Sequence, residues 1–168
     1  MFRELKLPMN VRGKLFLHSM PGRLEAWARA AQALVEQRIS AVICLARDGE
    51  IADKSREYGQ ALREGALPCA VIRFEIPDFG VPDDRESFLS LACEIAKRLL
   101  KGEHILIHCG FGIGRTGTLA ECVLVALGQT VTEAHRVVTE AGSGPEKGEQ
   151  QELIDWFATR VQAVRSEL

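Results

Sequence analysis

The stretch His108-Cys109-Gly110-Phe111-Gly112-Ile113-Gly114-Arg115-Thr116-Gly117 holds the residues of this sequence best suited to chemistry. It follows an apolar run and precedes a segment of helical character, so it reads as a turn from strand into helix. Such a turn aims successive backbone N–H groups inward and abuts a helix N-terminus, and both favour an anion. Gly110, Gly112 and Gly114 permit the tight backbone this requires. The expected phosphate-binding surface is the backbone of Gly110, Phe111, Gly112, Ile113 and Gly114 together with Arg115, whose planar fork suits two phosphate oxygens. Cys109, at the first position, feels the same field, which favours the nucleophilic thiolate. Thr116 places a hydroxyl within reach of the sulfur, to stabilise it as a leaving group. A nucleophile inside an oxyanion cradle with a bidentate clamp fits attack of sulfur on a phosphate monoester. The phosphocysteine so formed is then hydrolysed by water. Positioning and charge neutralisation dominate phosphoryl transfer, and the loop supplies both, so no metal or cofactor is expected.

Protonating the leaving oxygen requires an acid on a second loop facing the cradle. Asp78, Asp83 and Asp84 compete for that role. Asp83, with Glu86 three residues on, reads as a helix N-cap in a capping box. Asp78 follows Pro77 in a turn and has no such duty.

Cys-x5-Arg-Thr, preceded by His and rich in Gly, resembles the signature loop of the protein tyrosine phosphatase superfamily, and the small size resembles its atypical dual-specificity branch. Ile76-Pro77-Asp78-Phe79-Gly80 is similar to the loop bearing the general acid in that branch, which places the acid at Asp78. Met20-Pro21-Gly22 and Ile43 to Glu50 look like the corresponding parts of kinase-associated phosphatase, as do Gly142-Ser143-Gly144 and Glu149-Gln150. The likeness covers about residues 14–157. It implies that His108 supports the loop instead of transferring protons, and that Gln150 orients the hydrolytic water. It further implies a cysteine-dependent enzyme acting on phosphotyrosine in proteins, with phosphoserine or phosphothreonine as further substrates, in a bell-shaped pH dependence set by Cys109 and Asp78. The alternatives are a phosphoinositide or RNA 5′-phosphatase, or a catalytically idle phosphate-binding module. Lipid-directed relatives usually carry Lys inside the loop, and Gly110, Phe111 and Ile113 add no cation here. The intact Cys109, Arg115 and Thr116 speak against an idle module. Rhodanese-type sulfurtransferases set their Arg one residue nearer, and low-molecular-weight phosphatases carry the motif at the N-terminus.

The elements that must position these residues alternate. Strands are read at Lys14–His18, Ile39–Leu45, Ala70–Ile76 and His104–His108. Helices are read at Leu24–Gln37, Ile51–Arg63, Pro82 to about Leu100, Arg115–Leu127, Thr132–Thr139 and Gly148–Val164. The pattern predicts an α/β fold, a central, mostly parallel sheet flanked by helices on both faces, with the ligand site beyond the carboxyl ends of the strands. If Ile39–Leu45 lies beside His104–His108, Cys44 approaches Cys109, and a reversible disulfide would then protect the nucleophile.

The chain has 168 residues, 46% hydrophobic and 26% charged, which suits one domain (1–168) and excludes a disordered chain. With 21 Lys+Arg against 23 Asp+Glu, the net charge is -2, so there is no global footprint for nucleic acid or membrane. The start lacks a secretory pattern and no run is long enough to span a bilayer. Five cysteines without close pairs suggest reduced thiols in a cytoplasmic protein, and their spacing with histidine gives no zinc pattern. A monomer with a phosphorylated protein or peptide as its partner is expected.

Overall fold

The apolar, β-branched runs pair into one five-stranded sheet in a computed structural model that describes residues 1–166. The strands are β1 (Arg3–Glu4), β2 (Lys14–His18), β3 (Ala41–Cys44), β4 (Ala70–Arg73) and β5 (His104–His108), in the spatial order β1-β2-β5-β3-β4. β2, β5, β3 and β4 are parallel, and only the edge strand β1 pairs antiparallel, with β2.

On one face, α1 (Trp27–Glu36), α2 (Asp48–Lys54) and α3 (Arg56–Glu64) cover Phe16, Val42, Leu106 and Cys44. On the other, α4 (Arg85–Leu100), α5 (Gly114–Ala126), α6 (Val131–Glu140) and α7 (Gly148–Ser166) pack against Leu15, Leu17, Ile43, Ile105 and Ile107. Alternation along each strand sorts these side chains onto the two faces. Helix α5 is buried from Gly114 to Val125, because α4, α6 and α7 enclose it. The helix that starts at the cysteine-bearing loop is therefore held on several sides.

Several boundaries differ from expectation, each for a physical reason. The helix expected over Ile51–Arg63 begins at Asp48 and breaks at Ser55, whose φ of -155° and ψ of 82° are not helical. The Ser55 hydroxyl donates to the Pro21 carbonyl at 2.8 Å, and the break redirects Tyr58 into the interior. The N-cap of α4 is Asp84, not Asp83: Asp84 accepts from the Ser87 N–H at 3.0 Å and from its hydroxyl at 2.6 Å. Glu86, expected to close the box, instead faces Arg160 of α7. α1 begins at Trp27 because Glu25 is held in the preceding turn by the Gly22 N–H. The strand expected to reach Ile76 ends at Arg73, yet Ile76 N–H still donates to the Leu45 carbonyl. That bond delivers Pro77 and Asp78 to the same sheet edge as Cys109.

Candidate active site

Cys109 directly follows β5 and is 3% exposed. Its sulfur accepts the Gly112 N–H at 3.2 Å. Four carbonyls of the surrounding loop are bound by other groups. The Cys109 carbonyl faces His108 Nδ1 at 3.1 Å, Gly110 O accepts from Met20 N–H at 3.1 Å, and Ile113 O accepts from Gly117 N–H at 2.7 Å. Gly112 O accepts from Arg3 Nη2 at 2.6 Å and from the Ser143 hydroxyl. The N–H and C=O of a trans peptide point in opposite directions, so these four bound carbonyls leave the N–H groups of Gly110, Phe111, Ile113 and Gly114 on the opposite side of the loop backbone. One of the glycines is required by close approach: Gly112 sits at φ 73° with the His18 backbone carbonyl where a Cβ would lie.

Arg115 follows one residue into α5, and its side chain is 2% exposed. Its guanidinium makes a two-pronged pair with Glu50, Nη1 to Oε2 and Nη2 to Oε1, each at 2.8 Å. Nη2 also donates to Asp78 Oδ1 at 2.8 Å, and Nη1 to the Ile76 carbonyl at 3.0 Å. Burial pushes the Glu50 carboxyl up, but the hydrogen bonds and charge of Arg115, with the Arg47 N–H, outweigh it and hold the carboxyl below its usual range. Burial likewise draws the guanidinium down, and Glu50, Cys109 and Asp78 more than offset that. Glu50 is thus the fixed counter-charge that keeps a buried Arg in place.

Asp78 lies 55% exposed in a tight turn in which Gly80 N–H donates to Pro77 O at 2.9 Å and Phe79 takes φ 57°. A left-handed φ in a non-glycine residue is strained, and the turn is held by its contacts. Gln150 supplies one of them. Fully buried, it accepts from Glu146 N–H through Oε1 at 2.8 Å and donates through Nε2 to Gly80 O at 3.1 Å. Both ends of the amide that the resemblance assigns to water are engaged with backbone here.

His108 is wholly buried between two partners. Tyr58 Oη lies 2.7 Å from Nε2, and burial keeps that phenol protonated and able to donate. With Nε2 accepting, the Nδ1–H donates to Cys109 O. Burial pushes the His108 pKa down to about 4, so the ring is neutral near pH 7. Thr116 is also buried, and its hydroxyl has no hydrogen-bond partner among the described residues. Cys44 pairs in register with His108, as the strand order requires. Its thiol lies among Met20, Ala46, Ile51 and Tyr58 on one face of the sheet, whereas Cys109 packs with the cluster on the other. Both thiols are free, and burial pushes that of Cys44 up.

The rim is built from exposed apolar side chains, Phe79 (50%), Phe111 (56%) and Ile113 (38%). Arg23 Cζ lies 3.6 Å from the Phe111 ring centroid, and Lys147 Nζ lies 5.3 Å from that of Phe79. These two cations reach the rim from distant parts of the chain, which the residues within the loop do not reveal.

Sequence reasoning named Cys109, Arg115, Asp78, His108 and Gln150 as candidates, and the fold brings all five together. It missed four contributors. Glu50 stood unremarked in a matching segment, and Tyr58 is the one tyrosine of the chain. Arg3 and Arg23 carry no local signal, since nothing in their neighbourhoods marks them apart from surface arginines.

Residues 18–129 match the family model described as "Polymorphic toxin system, DSP-PTPase phosphatase". Human tyrosine-protein phosphatase non-receptor type 4 is 52% identical over 82 residues, which are 46% of this chain and 9% of that protein. The chain therefore spans less than a tenth of the length of the curated relatives it matches. The crystal structure of Tk-PTP in its active form is 26% identical with a TM-score of 0.69, covering 94% of this chain and 97% of that one. Kinase-associated phosphatase, crystallised with its catalytic cysteine replaced by serine, gives a TM-score of 0.82 at 19% identity, covering 97% and 96%. At that identity the likeness is one of fold.

Proposed function

Because this chain belongs to the DSP-PTPase phosphatase family of polymorphic toxin systems and is a phosphatase domain, we propose that it hydrolyses phosphotyrosine in proteins through a phosphocysteine on Cys109. The observation that carries this reading is the Gly112 N–H on the Cys109 sulfur, in a loop four of whose carbonyls are bound by other groups. The phosphoryl oxygens occupy the N–H groups of Gly110 to Gly114, and Arg115 binds them with its fork. The incoming dianion competes with Asp78 for the guanidinium while Glu50 keeps it oriented. Asp78, displaced from Arg115, takes up a proton from solvent, turns to the leaving oxygen and transfers that proton to it as the P–O bond breaks. In the second step the Thr116 hydroxyl stabilises the departing sulfur, Asp78 takes a proton from water, and Gln150 leaves Gly80 to align that water. Charge neutralisation by Arg115 and the loop makes a metal unnecessary. We place the protein in the cytoplasm, a reading supported by relatives named as non-receptor phosphatases, and propose that it acts as a monomer.

Phosphotyrosine is favoured because Phe79, Phe111 and Ile113 offer an apolar rim to an aromatic ring, with phosphoserine and phosphothreonine as slower substrates. Arg23 and Lys147 supply the cations that a phosphoinositide or RNA 5′-phosphate reading needs. A parallel rate panel of phosphotyrosine peptides, phosphothreonine peptides, phosphoinositides and 5′-phosphorylated RNA, with Cys109→Ser as blank, separates the readings. The highest kcat/KM is expected on phosphotyrosine peptides. A higher value on a phosphoinositide or on RNA would transfer the assignment there, and no rate above the blank on any would leave a phosphate-binding module.

A further inference from the structure

The cysteine loop has one tether that crosses most of the sequence. Arg3 lies on β1, at the sheet edge, and its guanidinium reaches three backbone carbonyls: Gly112 O at 2.6 Å through Nη2, and Ala141 O at 2.9 Å and Gly142 O at 2.8 Å through Nη1. It thereby ties β1, the cysteine loop and the turn after α6 into one unit. No carboxylate lies within ion-pair distance of Arg3 among the described residues, so its positive charge is not spent on a counter-ion. Burial draws the guanidinium pKa down, and the charge of Cys109 acts against that shift, which places the two groups in each other's field.

Resting on the phosphatase reading above, we propose that Arg3 is a positioning residue for phosphoryl transfer, fixing the Gly112 peptide so that the loop's N–H groups face the sulfur and the incoming phosphate. Of the loop carbonyls, that of Gly112 alone is held by a charged donor, and a charge-assisted bond is the stronger kind. The peptide it fixes joins Gly112 to Ile113. With the carbonyl pulled outward, Ile113 N–H turns to the opposite side, towards the anion. Gly112 is also the residue whose own N–H meets Cys109 at 3.2 Å. Releasing Arg3 leaves Gly112 O with the Ser143 hydroxyl, a neutral donor, and frees a glycine with φ 73° to rotate. Misplacement of a cradle by a fraction of an ångström is costly in rate while barely touching affinity for a substrate gripped elsewhere.

The test compares Arg3→Ala, Arg3→Lys and Ser143→Ala with the parent, using Glu4→Ala as a control, since Glu4 makes only an exposed pair with Lys14. Two readouts are taken: kcat and KM on an aryl phosphate, and the rate at which iodoacetate alkylates Cys109 at fixed pH with and without inorganic phosphate. Arg3→Ala is expected to lower kcat roughly 10- to 100-fold with KM within about 3-fold, and to weaken the protection by phosphate. Millimolar guanidinium should restore part of the rate, Arg3→Lys should lie between, and Ser143→Ala should cost less than Arg3→Ala. The proposal is overturned if Arg3→Ala keeps kcat within 2-fold, or if its loss is neither rescued by guanidinium nor distinct from a fall in folded fraction. Should Arg3→Ala not fold, Arg3→Lys and Ser143→Ala carry the same comparison, and parent-like kcat and phosphate protection in both would overturn it. A parent no faster than Cys109→Ser would sink the phosphatase reading. Alkylation, which needs no turnover, would still decide on Arg3.

Discussion

The two loops that meet at the site are built on opposite terms. The cysteine loop, 109–114, is enclosed: four of its carbonyls are bound by Met20, Arg3, Ser143, His108 and the first turn of α5, and Cys109 is almost inaccessible. The aspartate loop, 77–84, is open. Asp78 and Phe79 are half exposed, Phe79 holds a strained φ, and three contacts close the turn over the cradle: Arg115 to Asp78, Gln150 to Gly80 O and Lys147 over Phe79. An oxyanion cradle gains from being fixed before substrate arrives, because no reorganisation is then needed in the transition state. In the proposed reaction Asp78 must first yield Arg115 to a phosphate and then face a leaving group, and so gains from contacts that can be exchanged.

The largest expected effect strikes the fixed side. Cys109→Ser and Arg115→Ala should each lower kcat/KM by on the order of 10³-fold or more, equally for good and poor leaving groups. Arg115→Ala also strands the buried side of Glu50 without its partner. Steady-state rates on two aryl phosphates of different leaving ability check this, and a loss confined to the poorer one would erase the contrast between the loops. Next comes the open side. Asp78→Asn should cost about 10²–10⁴-fold on phenyl phosphate and far less on an activated aryl ester. Parent-like rates on phenyl phosphate would move the acid to Asp83 or Asp84.

A smaller effect concerns the support under the cysteine loop. His108 is neutral and buried with a pKa near 4, below that of an unfolded histidine. The unfolded chain therefore takes up a proton that the folded one refuses. Stability is intact above about pH 6.5 and falls as pH drops towards 4, by about 3 kcal/mol in all. Urea midpoints across that window, compared between the parent and His108→Asn, should show a flatter slope in the variant, and equal slopes would contradict the assignment. The smallest effect tests whether the enclosed loop can be opened from below. Cys44 pairs beside His108 but points to the other face of the sheet, so a Cys44–Cys109 disulfide requires the strand end to shift. We propose that mild peroxide yields a minor crosslinked fraction, lost in Cys44→Ser. A mass spectrum showing only sulfinic or sulfonic Cys109 would dismiss it.

Much of this molecule was legible in local pattern. Apolar runs marked four of five strands, and the Gly-rich turn between His108 and Arg115 specified its own use, because spacing alone decides that a sulfur, N–H groups and a guanidinium share one centre. β1 escaped notice because two residues carry no periodicity, and it forms on the edge of β2. The break at Ser55 escaped because the bond that makes it, to Pro21 O, joins residues 34 apart in sequence. Asp83 and Asp84 are equivalent caps by composition, and only the chain direction into α4 chose between them.

The sequence by itself determined the proposed chemistry: the proposed Cys nucleophile and Arg clamp and the strand–turn–helix that carries them are consequences of neighbouring residues and short-range geometry. Tertiary structure decided what holds that chemistry in place. Glu50, Tyr58, Arg3 and Arg23 lie 59, 51, 106 and 86 residues before Cys109 and reach the site across folded strands. No local signal foretells a partner brought in by a parallel sheet, because the crossovers that set its strand order are specified by burial of the whole core.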